Sequence, residues 1–152
     1  MVIGLRTCVL MLALLIAAAH VAAQEKQPAP AAAGGSVIVT VKYTGKGTVD
    51  ADHRLWVWLF NTPEIGPGAI PVGEQSIEKN GGVASFTSVA DKEVWVAIAY
   101  DEKGGFQGSG PPPVGSPITL YGAKAPPDKP QPVVPGPKAK VSVTFDDSQR
   151  MK

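Results

Sequence analysis

The stretch from His53 to Phe60, HRLWVWLF, is apolar on both sides of an extended chain. With side chains alternating at a period of two, Leu55, Val57 and Leu59 point one way and Trp56, Trp58 and Phe60 point the other. Glu93 to Tyr100, EVWVAIAY, repeats the behaviour. There Val94, Val96, Ile98 and Tyr100 share one side and Trp95, Ala97 and Ala99 the opposite side. A strand with two apolar faces needs cover on both. A second sheet supplies one cover, so the question is what lies over the tryptophans.

Working outward, the same alternation recurs between turn signals, and no stretch carries a helical period. Ser36 to Tyr43 places Val37, Val39, Val41 and Tyr43 on one face. A weaker polar strand, Gln75 to Lys79, suits a sheet edge. Asn80-Gly81-Gly82 supplies residues tolerant of positive φ, and Val83 to Val89 is expected as the hairpin partner of that edge strand. Pro117 to Tyr121 and Lys138 to Phe145 complete the set, the last with Val141, Val143 and Phe145 assigned to the core. The fold class expected is all-β: a single seven-stranded antiparallel β-sandwich with long Pro-rich loops. The domain is expected over residues 36–147, with 148–152 as a C-terminal tail. That length, about 110 residues, suits one core.

The stretch Gly47 to Gly105 resembles the prealbumin-like (transthyretin-like) sandwiches, among them carboxypeptidase regulatory-like and Cna-B-type modules. Gly47-Thr48-Val49 before LWVWLF, then NGGVASFTSV, then EVWVAIAYDEKGG carry the resemblance. An immunoglobulin-like topology produces a similar string, although the Cys...Trp...Cys signature of true immunoglobulin domains is missing. The resemblance implies an accessory, adhesive or binding module, because fold by itself assigns no activity. Some Cna-B-type modules carry a Lys to Asn isopeptide bond; Lys42 sits in a first-strand position that can be compared with such a lysine, but the last strand holds no Asn.

Residues 1–23, MVIGLRTCVLMLALLIAAAHVAA, read as a signal peptide: Arg6, an apolar run from Cys8 to Ala19, and small residues at the cleavage site after Ala23. The run is shorter than the roughly 20 residues a bilayer span needs, and no cysteine follows it to be lipidated, so no membrane anchor is expected after cleavage. QEKQPAPAAAGG, residues 24–35, reads as a disordered Ala/Pro/Gly tether. The protein is expected to be secreted or periplasmic, and bacterial, because the only cysteine, Cys8, leaves with the signal and no disulfide remains. Of 14 Lys and Arg, Arg6 also leaves, which balances 13 basic against 13 acidic residues. With both signs interspersed, no nucleic-acid partner is expected.

Catalysis finds few groups to work with. The chain after residue 23 has one histidine, His53, no cysteine and no Gly-x-Ser-x-Gly elbow. No enzyme activity, cofactor or metal is therefore expected. Asp101-Glu102 and Asp146-Asp147 are the acidic clusters at strand ends, where calcium or a two-carboxylate hydrolase would have to be built. The residues with most to offer a ligand are Trp56, Trp58, Trp95 and Tyr100. Same-face tryptophans about 7 Å apart make a platform for sugar rings or an apolar partner, unless Phe106 and the Pro-rich loops fold over them. The expected function is binding at the cell envelope, to carbohydrate or an envelope protein. The alternatives are a purely structural assembly domain without a small ligand and, more remotely, a hydrolase.

Overall fold

The structure, a computed structural model, describes residues 34–66, 68–124 and 128–152. The expected signal peptide and nearly all of the expected tether lie outside the described residues, and Gly35 already belongs to the first strand. Among the described residues the chain forms eight strands and no helix. They are β1 (Gly35–Tyr43), β2 (Leu55–Phe60), β3 (Gly73–Ile77), β4 (Val83–Val89), β5 (Val94–Tyr100), β6 (Ile118–Leu120), β7 (Pro132–Val133) and β8 (Lys140–Phe145). One sheet has the order β4-β1-β8; the other runs β3-β2-β5-β6, with β7 also on β5, beside the half that β6 leaves free. The short β7 arises within a Pro-rich segment expected to be loop.

Two expectations need correction. The sandwich is not wholly antiparallel: β1 and β8 run parallel, from Ile38↔Lys140 to Tyr43↔Phe145. Alternation fixes which face a strand buries but carries no direction, and a parallel pair needs a long crossover, here the whole chain between the two strands. Second, Asn80-Gly81-Gly82 does not close a hairpin. β3 pairs with β2 and β4 with β1, so this turn carries the chain from one sheet to the other. Its partner is the end of β1: the Asn80 side chain accepts from Tyr43 N at 2.8 Å and donates to Tyr43 O at 2.7 Å, while Gly81 N donates to Val41 O at 2.9 Å. The C-terminal residues 148–152 bond back to the domain. Ile118 N donates to Gln149 O at 3.0 Å, Met151 N to Ser116 O at 2.9 Å and Gly115 N to Met151 O at 2.9 Å, which laces the end of the chain to the approach of β6.

The inner faces meet in one core of Val37, Val39, Val41, Leu55, Val57, Leu59, Val94, Val96, Ile98, Val141, Val143 and their neighbours. Each fully buried side chain of this size stabilises the fold by about 1.5–3 kcal/mol. Along one side the two sheets are joined at their edges by Gln75, whose amide donates to Ser85 O at 2.6 Å and accepts from Ser85 N at 2.9 Å. This occupies β4 backbone groups that an open edge would leave to another chain.

Candidate functional site

The outer face of the five-stranded sheet carries the second apolar set of β2 and β5. Their register places Trp56 opposite Ala99, Trp58 opposite Ala97 and Phe60 opposite Trp95. The small alanines leave lateral room for the indoles of β2, which lie with ring centroids 6.3 Å apart and planes 20° from parallel. From β3, Glu74 stands opposite Trp58 and Ser76 opposite Trp56. Trp58 Nε1 donates to Glu74 Oε2 at 3.1 Å. Asp101, next after Tyr100, continues the alternation onto this outer face, diagonal to Trp56.

Most of this face is closed. Trp56 is 7% and Trp58 4% exposed, with Phe106, Ile65 and Ala69 from the loops and Ile118 and Leu120 from β6 packed on them. Phe106 meets Trp56 edge-on at a centroid distance of 5.5 Å and Trp58 at 6.1 Å. Gly108 completes the closure: its φ is +84°, and a Cβ there would run into the Trp56 ring and the Glu74 carboxylate. Only glycine fits that close approach. The open platform of Trp56 and Trp58 is thus replaced by a covered layer, because burying such rings outweighs ordering a loop already stiffened by proline. Tyr100 is on the other side altogether. It is 2% exposed in the inter-sheet core, 4.3 Å from the Tyr43 ring, and its hydroxyl donates to Thr48 O at 3.0 Å.

Trp95 differs from the other three. It is half-buried near the start of β5, outside the cluster that Phe106, Ile65 and Ala69 cover, with Pro132 of β7 beside it. With Asn61, Asp91, Lys92, Glu93 and Val134 it lines a shallow depression of about 450 Å³. The Ala90-Asp91-Lys92 turn supplies the charged rim, and Val134, 66% exposed, adds an apolar wall. An indole with an amide, two carboxylates and an ammonium around it offers both a stacking surface and donors and acceptors for hydroxyl groups.

The acidic pairs at the strand ends converge on internal partners. Arg150 Nη1 reaches Glu102 Oε2 at 2.6 Å and Gly115 O at 2.6 Å, and its Nη2 lies 3.6 Å from Asp147 Oδ1. Asp147 also accepts from Lys46 N at 2.8 Å and from the Tyr43 hydroxyl. The Lys46 amide foremost, then the Tyr43 hydroxyl, hold the Asp147 carboxyl below its ordinary value. Burial, then the Asp147 carboxylate, push the Tyr43 phenol well above its ordinary value. Asp101 is 3% exposed and accepts from Phe106 N at 2.8 Å. Among the described residues no group of three His, Cys, Asp or Glu side chains is placed to hold a metal ion. Sequence reasoning missed Arg150, in the supposed tail, and Glu74, whose role on Trp58 shows only once the register of β3 is known.

Comparison with protein-family models, curated proteins and solved structures gives no match for this chain.

Proposed function

We propose that this protein is an exported, non-enzymatic β-sandwich that acts as a binding module at the cell envelope and takes carbohydrate at the Trp95 depression. The observation that carries this reading is the half-buried Trp95 ring set among Asn61, Asp91, Lys92 and Glu93. A depression of about 450 Å³ suits a sugar ring or two. Six residues line it, against the roughly 20–30 a side of a stable protein interface, which favours a small saccharide over an envelope protein. The sandwich is further read as prealbumin-like. In immunoglobulin constant domains the first strand shares a sheet with the second, fourth and fifth. Here the first pairs with the fourth and the last, which supports the prealbumin-like alternative.

A glycan array probed with the native protein and with Trp95→Ala tests the reading. Saturable binding that Trp95→Ala abolishes is expected, together with quenching of tryptophan emission by the same glycan. Array binding that survives Trp95→Ala, or no saturable response to any glycan, overturns it and returns the protein to a purely structural role.

A further inference from the structure

Resting on the carbohydrate reading of the Trp95 depression, we propose that residues 103–114 are a flap over a second sugar subsite built on Trp56, Trp58 and Asp101, next along the same sheet face. The first observation is polar. Trp56 Nε1 and Asp101 Oδ1 are enclosed with no hydrogen-bond partner among the described residues. A buried donor and a buried acceptor left unmade are costly, and natural proteins keep few of them. Both belong to outer-face residues diagonal to one another across β2 and β5. A sugar ring carries vicinal hydroxyls that both accept and donate, and so can supply the acceptor that the indole N–H lacks and the donor that the carboxylate oxygen lacks.

The second observation is how the cover is attached. Arg150 ties both ends of the loop, through Glu102 and through Gly115 O. Between these ties, contact with the sheet runs through Phe106, its N–H bond to Asp101 Oδ2, and Gly108. Gly104 and Gly105, both at positive φ, precede Phe106, and the stiff run Pro111-Pro112-Pro113 follows it. A hinge, a plug and a rigid arm in that order let Phe106 swing out as a unit. Phe106 then occupies the place of a ligand ring against Trp56 and Trp58. Lifting it uncovers Trp56 and Trp58, which lie on the same outer face as Phe60 and Trp95, successive same-face residues of a strand being about 7 Å apart. Glu74 and Asp101 line this inner part, so an acidic sugar is repelled and the ligand class is a neutral oligosaccharide.

With the flap closed in most molecules, the apparent affinity is reduced by the fraction that is open. The test is calorimetric titration of the native protein, Phe106→Ala and Trp95→Ala with cellotetraose, chitotetraose, xylotetraose and maltotetraose, alongside acrylamide quenching of tryptophan emission. Phe106→Ala is expected to bind the preferred probe about tenfold or more tighter than the native protein and to expose further tryptophan to acrylamide. Adding Asp101→Asn to Phe106→Ala should remove most of that gain, since an amide replaces one carboxylate oxygen by a donor. If Phe106→Ala fails to fold, Phe106→Leu serves, with a smaller gain in the same direction. Native binding through Trp95 with no gain in Phe106→Ala overturns the flap and leaves the Trp95 reading standing. Binding by Phe106→Ala that Trp95→Ala does not weaken sinks the Trp95 reading and keeps the flap. No heat with any probe in any variant overturns both.

Discussion

Alanine at Gly105 and alanine at Gly108 form a matched pair of perturbations, because the two residues share nearly the same backbone, φ +83° and +84°, but not the same surroundings. Placing a Cβ in the left-handed region costs about 1–2 kcal/mol at either position. At Gly105 nothing lies within 4 Å of the new methyl, so the cost ends there. At Gly108 the methyl meets the Trp56 ring and the Glu74 carboxylate, and the loop has to lift. Lifting gives up the contact of a partly buried phenylalanine, Phe106. That is about 100 Å² of apolar surface, or about 2.5 kcal/mol at 25 cal/mol per Å². Gly108→Ala is therefore expected to lose about 4 kcal/mol and Gly105→Ala about 1.5 kcal/mol. Urea unfolding followed by far-ultraviolet circular dichroism measures both. Native-state tryptophan emission should shift to the red in Gly108→Ala and stay unchanged in Gly105→Ala. Equal stabilities and identical emission maxima for the two variants would refute the placement of Gly108 against Trp56.

Other outcomes follow from the same geometry. Glu74→Ala leaves the Trp58 indole N–H buried without its acceptor and should cost about 1–3 kcal/mol in urea unfolding, whereas Glu74→Gln, which keeps an acceptor oxygen, should cost less; equal losses contradict the bond. Asp147, held below its ordinary value of 3.8, binds fewer protons folded than unfolded, so its stabilisation is present above that value and is lost as the pH falls through the lowered one. Tyr43, raised above its ordinary 10.0, stabilises below that value and loses its contribution as the pH rises past it toward the raised one. Thermal midpoints should accordingly fall at both extremes, with a shallower acid limb in Asp147→Asn; an unchanged limb contradicts the Lys46 and Tyr43 contacts. Arg150→Ala breaks solvent-exposed ion pairs, so the urea midpoint should move little. Trypsin cleavage after Lys103 should nevertheless speed up as the ends of the loop loosen, and an unchanged cleavage rate contradicts the tie.

The strands that alternate strongly were legible residue by residue. Val37, Val39 and Val41 on β1, the two apolar faces of β2 and β5, and Val141, Val143 and Phe145 on β8 stand where the period of two puts them. Pairing was less legible, because a turn signal is local while its partner is not. Asn80-Gly81-Gly82 has the composition of a hairpin, yet the Asn80 side chain bonds to Tyr43 in a strand that precedes it by 37 positions. Direction was silent too, since the β8 pattern reads equally well parallel or antiparallel to β1. At the site, the composition of β2 announced a face in need of cover. Whether loop or ligand supplies that cover depends on the docking of Phe106 and the bare backbone at Gly108, which no periodicity encodes. Trp95, beside Pro132 near the start of β5, stays half-buried outside the set that Phe106, Ile65 and Ala69 cover, and nothing in its alternation separates it from Ala97 and Ala99 on the same face.

The indole N–H resonances of the three tryptophans, followed by two-dimensional NMR while the glycan preferred on the array is titrated in, separate the open end of this face from the covered one. The expected result is a saturable shift of the Trp95 resonance, with those of Trp56 and Trp58 answering strongly only once Phe106 has been replaced by alanine. A Trp95 resonance that stays still throughout, in the native protein and in Phe106→Ala alike, contradicts the assignment of the binding site to this end of the sheet.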